Sequence, residues 1–194
     1  MPAIQRDSLM TLEAYAKARH DFRARVLVHK KARTVHLGDH ITLIFEDELT
    51  LRYQIQEMLR IEKAFEEEAI QDELDVYNPL VPDGSNFKAT MLIEYEDVEE
   101  RRVALMRLKG VEDRVWVEID GCAKVWAIAD EDLPRENEVK TSAVHFLRFE
   151  LEPAMVTALK RGAPLAIGVD HPAYRAEISP TDAATRDALV ADLA

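Results

Sequence analysis

Two acidic segments with a helical spacing of apolar residues, both within Phe45–Gly84, constrain the fold of this chain more than any other stretch. The segments are Glu48–Lys63 and Glu66–Tyr77. Their apolar positions recur as on one face of an amphipathic helix, and they are Leu51, Ile55, Met58 and Leu59 in the first segment and Ile70, Leu74 and Tyr77 in the second. Asn78-Pro79 and Pro82-Asp83-Gly84 follow, and proline cannot continue a helix. We therefore predict two helices that end in a rigid turn.

Elsewhere the apolar residues alternate with polar ones, which is typical of β-strands. Val35–Leu37 and Ile41–Phe45 flank Gly38-Asp39 and predict a hairpin. Phe87–Tyr95 has apolar residues at every second position and predicts a strand with one buried face. Further strands are predicted at Ala143–Leu151, Leu165–Val169 and Tyr174–Ile178.

A second hairpin is predicted around Asp120-Gly121, a dipeptide that favours a type I′ turn. The flanking strands are Arg114–Ile119 and Cys122–Ala127. A two-residue loop predicts that Val117 pairs with Lys124 and that Trp116 pairs with Val125, so the tryptophan has a β-branched partner.

Four further segments have helical patterns. They are a short segment around Leu9–Ala16, His20–Arg33, Asp97–Lys109 and Pro153–Gly162. A terminal helix is predicted to open with a capping box at Ser179-Pro180-Thr181-Asp182. There are about seven strands and no regular alternation of strand and helix. The predicted fold class is therefore α+β, with a largely antiparallel sheet and helices mainly on one face, in one domain spanning residues 1–194.

Charge and composition exclude several classes of function. The net charge is −12, whereas duplex binding needs a basic surface. No apolar run approaches the roughly 18 residues of a membrane span, and the N-terminus lacks a secretory apolar segment. We expect a cytoplasmic protein that binds neither nucleic acid nor membrane. Cys122 is the only cysteine, which excludes an intramolecular disulfide and a zinc site made of cysteines alone.

The familiar catalytic motifs are missing from the sequence. There is no Gly-rich phosphate loop, no G-x-S-x-G sequence, no H-E-x-x-H sequence and no pair of E-x-x-H sequences. Nucleotide hydrolysis, serine hydrolysis and single-chain di-iron chemistry therefore have no support from motifs. No cofactor and no metal site are predicted.

Five residues are candidates for binding a ligand: Tyr53, Glu57, His145, His171 and Tyr174. Tyr53 and Glu57 are four residues apart on one predicted helix stripe, which an intrahelical ion pair also explains. His145 shares a predicted strand face with Leu147 and Phe149, where a core histidine with satisfied hydrogen bonds is the competing interpretation. His171 and Tyr174 belong to Asp-His-Pro-Ala-Tyr at a strand end, a sequence that also makes an ordinary turn.

Four strings of this chain carry a resemblance: FEDELTLRYQIQEMLRIE, ELDVYNPLVPDG, AVHFLRFEL and DHPAY. On these strings the chain resembles a bacterial family of uncharacterised proteins, and the resemblance extends over nearly the whole length. The family has no established activity or catalytic residues to carry over. Its genes tend to lie near those of rubrerythrin and an iron–sulfur oxidoreductase, which implies a role around peroxide stress or electron transfer.

Three functional hypotheses follow from the sequence. The first is an accessory or binding protein of a redox or oxidative-stress system, a homodimer that docks to a redox partner or holds a small polar ligand. The second is a metal-dependent enzyme or small-ligand-binding protein that uses Glu57, His145 and His171, with Glu46 or Tyr174 assisting. The third is RNA binding through the basic face Arg19–Arg33, for which a solvated helix face is the simpler interpretation.

Overall fold

The computed structural model describes residues 3–132, 135–137 and 139–194. These residues form six α-helices and nine β-strands. The helices are α1 (Leu12–Lys31), α2 (Glu48–Glu62), α3 (Glu67–Tyr77), α4 (Val98–Arg107), α5 (Pro153–Lys160) and α6 (Ala183–Val190). The strands are β1 (Thr34–Leu37), β2 (Ile41–Phe45), β3 (Asn86–Ile93), β4 (Val115–Ile119), β5 (Val125–Trp126), β6 (Ile128–Ala129), β7 (Val144–Glu150), β8 (Leu165–His171) and β9 (Tyr174–Ile178).

The strands form two antiparallel sheets that are joined through one bent segment. The first sheet has the order β1-β2-β3-β7-β6 and the second has the order β5-β4-β8-β9. β5 pairs with β4, while β6, which begins two residues after β5 ends, pairs with β7. Ala127 lies between them and its N–H donates to the Val115 carbonyl at 2.8 Å. The chain thus crosses from one sheet to the other here, and the predicted α+β class with antiparallel pairing is confirmed.

Tyr174 bridges the two sheets at their other margin, between β9 and β1. Its hydroxyl donates to the Leu37 carbonyl at 2.6 Å and accepts from the His40 N–H at 3.1 Å. Gly38 has φ +68°, and a Cβ there would lie 2.6 Å from the Tyr174 hydroxyl oxygen. Only glycine combines that backbone conformation with room for the ring. We call this margin between β1 and β9 the seam. The phenol joins the two sheets there with two hydrogen bonds, where no strand pairing exists.

The main core lies between the two sheets. Inward-facing residues of both sheets are almost completely buried, and they include Leu43, Met91, Leu147, Val117 and Ile167. Helices α4, α5 and α6 add Leu105, Leu159 and Leu189 to this core. Helices α2 and α3 form a second apolar cluster with the N-terminal segment, around Ile55 and Leu74. Burial of these side chains supplies the main favourable free energy of folding, at roughly 1.5–3 kcal/mol for each large aliphatic residue.

A reciprocal cap fixes the start of α2. The Asp47 carboxylate accepts from the Thr50 N–H at 2.9 Å, and the Thr50 hydroxyl accepts from the Asp47 N–H at 2.9 Å. Lys63 ends the helix in a left-handed conformation with φ 55°. The two helices predicted within Phe45–Gly84 are thereby confirmed as α2 and α3.

Arg33, just after α1, is a buried cation that joins three parts of the chain. Its guanidinium makes two hydrogen bonds of 2.7 Å to the Asp192 carboxylate and one of 3.0 Å to the Ala188 carbonyl. Its Nε also lies 3.0 Å from Asp47 Oδ2. The Arg33 guanidinium therefore links three segments: the end of α1, the N-cap of α2 and the C-terminal segment.

The structure differs from the sequence prediction in the register of the second hairpin. Trp116 faces Trp126 and Val117 faces Val125. The turn at Asp120-Gly121 does form, because Gly121 has φ +79° and the Cys122 N–H donates to the Ile119 carbonyl at 2.8 Å. Pairing resumes only at Val125, so the loop is longer than two residues and the register shifts by one.

Two helix boundaries also differ from the prediction. The first two predicted helices are one continuous helix, α1, because its sequence contains neither glycine nor proline. The terminal helix begins after Asp182, whose carboxylate accepts from the Thr185 N–H at 2.9 Å. Ser179-Pro180 therefore precedes the helix instead of forming its cap. Among the described residues, no helix is long and apolar enough to cross a membrane.

We expect Tyr174→Phe to lower the free energy of unfolding by about 1–3 kcal/mol, because it leaves the Leu37 carbonyl and the His40 N–H without their partner. Urea unfolding at pH 7 measures this. Tyr95→Phe is the control: its ring stacks on His40 at 3.8 Å, and its hydroxyl makes no hydrogen bond with the residues that the structure describes. Equal stability of Tyr174→Phe and the wild type would show that the phenol does not close the seam.

Candidate functional site

His145 lies at the centre of a buried polar cluster. Its side chain has no exposed surface, and it projects from β7 toward the interior. Nδ1 lies 2.6 Å from Asp130 Oδ2, and because a carboxylate only accepts, Nδ1 carries the hydrogen. Nε2 lies 3.0 Å from the Thr141 hydroxyl oxygen and 3.0 Å from the Ser142 carbonyl oxygen. Both ring nitrogens therefore have partners.

Two acidic residues from different parts of the fold complete this cluster. Asp130 follows β6 with φ 50°, and its Oδ1 accepts from the Phe146 N–H at 3.0 Å. Arg135 Nε lies 3.2 Å from the same Asp130 oxygen. Glu112 stands in a short 3-10 turn before β4, with Oε2 at 3.9 Å from His145 Nε2. Burial raises the pKa of the Glu112 carboxyl above its ordinary value.

Glu112, Asp130 and His145 are the three residues in the described part of the chain whose side-chain donors lie close enough to hold one metal ion. The Thr141 hydroxyl lies between two of them, 3.3 Å from Glu112 Oε2. An imidazole, two carboxylates and a hydroxyl in a dry site can hold a cation, either a proton or a metal.

The Glu57 carboxylate forms a different network, between α1 and α2. Arg19 donates two hydrogen bonds to it, at 2.7 and 2.9 Å, and the Tyr15 hydroxyl donates a third at 2.6 Å. Arg60 adds a contact at 3.2 Å. The Arg19 hydrogen bonds, with those of Tyr15 and Arg60, lower the pKa of Glu57 to about 2 despite its burial, which acts in the opposite direction. Tyr53 packs nearby, with its ring centroid 6.0 Å from that of Phe22.

His171 and Tyr174 have structural partners around the β8–β9 turn. His171 Nδ1 accepts from the Ala173 N–H at 3.2 Å, so Nε2 carries the hydrogen and donates to the Lys109 carbonyl at 3.0 Å. Tyr174 makes the seam contacts already described. Glu57, His145 and His171 thus belong to three networks with different partners, and their use in one site stays a prediction.

A cleft of about 240 Å³ lies between α2–α3 and the outer face of the five-stranded sheet. Its wall combines apolar side chains with a few polar ones, and the residues are Lys30, Ile44, Glu46, Thr50, Leu51, Gln54, Tyr77, Leu80, Thr90, Val144 and Phe146. We call it the Glu46 cleft. Glu46 is 8% exposed, and its two carboxylate oxygens accept from the Thr50 hydroxyl at 2.5 Å and the Thr90 hydroxyl at 2.6 Å. Burial raises the pKa of Tyr77.

Sequence reasoning missed Glu112, Asp130 and Thr141. Each is a single polar residue outside a regular element, and nothing in its local pattern marks it. The one available signal was His145 itself, because a buried imidazole needs partners on both nitrogens. Glu46 was considered only as an assisting residue, although it ends a strand and precedes a helix cap.

Comparison with known proteins gives a family but no activity. A family model described as "Protein of unknown function (DUF3501)" matches residues 3–193. The crystal structure of a protein of unknown function from Burkholderia pseudomallei K96243 is similar to this chain, with 58% sequence identity, complete coverage of both chains and a TM-score of 0.94. No curated protein matches the chain.

We expect Glu57→Gln to lower the free energy of unfolding at pH 7, because the neutral amide loses the charge-assisted bonds from Arg19. The folded-state pKa of about 2 lies below the ordinary 4.5. The difference between wild type and variant should therefore be complete above about pH 4.5 and should shrink as the pH falls toward 2. Urea unfolding at a series of pH values measures it. Glu13→Gln, which removes only an exposed pair with Lys17, is the control and should change stability little at any pH.

Proposed function

We propose that this chain, which belongs to the DUF3501 family of proteins of unknown function, is an accessory protein of a redox or oxidative-stress system that binds a small amine-bearing ligand in the Glu46 cleft. The observation that carries this proposal is a buried carboxylate at the wall of a partly enclosed cleft. Arg33 acts on this carboxylate as an opposite charge, but no cation among the described residues forms a direct ion pair with it. A bound ammonium group would compensate the buried charge by direct contact.

Glu46 has acceptor capacity left for a ligand. A carboxylate offers about four lone-pair directions, and the Thr50 and Thr90 hydroxyls occupy one on each oxygen. These two threonines hold the carboxylate in place without neutralising it. A ligand ammonium can therefore donate to an acceptor that is already oriented, which lowers the entropic cost of binding.

The rest of the cleft favours a ligand with a short aliphatic carbon chain. Ile44, Leu80 and Phe146 supply apolar surface. A volume of about 240 Å³ is below the usual range of drug-sized ligand sites, roughly 300–1,000 Å³. Lys30 also lines the cleft, and its ammonium can pair with a ligand carboxylate. An aliphatic amino acid or a simple alkylamine fits this combination.

The redox role and the predicted homodimer are supported by different observations. The resemblance to a family encoded near rubrerythrin and an iron–sulfur oxidoreductase supports the redox role. The net charge of −12 favours a basic docking partner through electrostatic steering. The homodimer rests on the frequency of twofold assemblies among soluble proteins. An enzyme that uses Glu57, His145 and His171 together has less support, because their contacts belong to three separate networks.

Thermal shift measurements with three related probes test the ligand proposal. L-leucine and isoamylamine should raise the melting temperature, and isovaleric acid, which lacks the amine, should not. Glu46→Gln preserves side-chain shape and should abolish the response. Glu48→Gln, two residues further along the chain and paired with Arg52, should retain it. An equal response to isovaleric acid, or an unchanged response of Glu46→Gln, would refute the amine site.

Affinity capture from a bacterial host, with and without peroxide, tests the redox proposal. A tagged full-length chain should retain a redox protein such as rubrerythrin or the iron–sulfur oxidoreductase, at levels above those of a tag-only control. If no redox protein is enriched under either condition, the redox proposal fails while the amine site stands. Light scattering on the same preparation should give twice the 22.1 kDa chain mass for the homodimer, and a single chain mass would exclude it.

A further inference from the structure

We propose that His145, Glu112, Thr141 and the carbonyl of Ser142 form a binding site for one divalent first-row transition-metal ion, with Asp130 orienting the histidine. This site faces the interior of the fold, and the proposal does not depend on ligand binding in the Glu46 cleft.

The separations between the donor atoms fit one shared ion. From His145 Nε2 the distances are 3.0 Å to the Thr141 hydroxyl, 3.0 Å to the Ser142 carbonyl and 3.9 Å to Glu112 Oε2. The Thr141 hydroxyl lies 3.3 Å from that Glu112 oxygen. Metal bonds of about 2.0–2.2 Å place neighbouring donors roughly 3–4 Å apart. These four separations are those expected between the donors of one ion, which would replace the hydrogens that now link them.

Asp130 prepares the imidazole for a metal. It accepts the Nδ1 hydrogen, so the lone pair that remains available is on Nε2, which faces the other donors. Histidines that bind metals usually donate their second ring N–H to a carboxylate or carbonyl in this manner. Asp130 is itself fixed by the Phe146 N–H and by Arg135. Rotation of the ring would break its Nδ1–Asp130 hydrogen bond, so the direction of Nε2 is set before any ion arrives.

The electrostatic surroundings favour a cation. Glu112 is 6% exposed, and Asp113 and Glu136 both act on its carboxyl as like charges. A buried negative charge is costly until a cation compensates it. An imidazole beside a carboxylate suits Zn²⁺, Fe²⁺ or Mn²⁺, whereas Mg²⁺ and Ca²⁺ prefer sites made only of oxygen.

A proton is the rival occupant. A hydrogen on Nε2 donates to the Ser142 carbonyl and gives a charged imidazolium between Asp130 and Glu112. That arrangement also satisfies both ring nitrogens, so measurements must distinguish a bound metal ion from a bound proton.

Metal binding is tested on the full chain, stripped with a chelator, by titration with Zn²⁺, Mn²⁺ and, without oxygen, Fe²⁺ in a calorimeter. We expect close to one equivalent of one of these ions to bind and to raise the melting temperature. Glu112→Gln should weaken binding at least about tenfold, the lower end of the range for residues that only orient a metal ligand, because a direct donor should matter no less. Glu136→Gln removes a nearby charge that is not a donor and should leave the affinity within about threefold. A wild-type chain that binds none of these ions would overturn the proposal.

A second variant keeps the proposal testable if Glu112→Gln fails to fold. Asp130→Asn retains the four donors but cannot hold the Nδ1 hydrogen in the same way, so it should weaken binding by about 10–100-fold. Far-UV circular dichroism checks that each variant is folded. Equal affinity of wild type, Glu112→Gln and Asp130→Asn would place the ion elsewhere on the protein.

Discussion

The buried guanidinium of Arg33 is the interaction on which the arrangement of the helices depends. It binds Asp192 near the C-terminus with two hydrogen bonds and lies 3.0 Å from Asp47, the residue that caps α2. Removal of one partner from such a buried pair leaves an uncompensated charge, at a typical cost of about 3–5 kcal/mol. Glu46, the neighbour of Asp47, bonds to Thr50 in the first turn of the same helix. The contacts of Arg33 with Asp47 and Asp192, which lie outside the Glu46 cleft, therefore position the wall of the cleft.

Sequence patterns predicted those helices and strands in which apolar residues recur with a helical or an alternating spacing. The stripe of Leu51, Ile55 and Leu59 predicted α2, and alternation from Phe87 onward predicted β3. The pairing of Trp116 with Trp126 was missed, because the three residues after the Asp120-Gly121 turn stay outside the ladder and only tertiary packing decides where pairing resumes. The contacts of His145 could not be predicted for the same reason, since Glu112, Asp130 and Thr141 are brought together by pairing between distant strands.

The two proposed sites differ in how accessible they are to solvent. The Glu46 cleft opens outward between helices and sheet, and its carboxylate is held by hydroxyl groups that leave acceptor positions free. The His145 cluster is enclosed, and each of its groups already has a protein partner. The first arrangement suits reversible binding of a small molecule. The second suits a tightly held ion, because exchange requires that several hydrogen bonds break together.

β7 carries both sites on opposite faces, because successive side chains of a strand alternate. Phe146 lines the cleft while its neighbour His145 faces the carboxylates, and their partners on β3 are Thr90 and Met91. A slip of one residue between these two strands would exchange them, placing the imidazole in the cleft and the phenyl ring among the acids. The pairing of β3 with β7 therefore determines which side chains reach each site. The partners on β3, Met91 and Thr90, are not themselves ionisable.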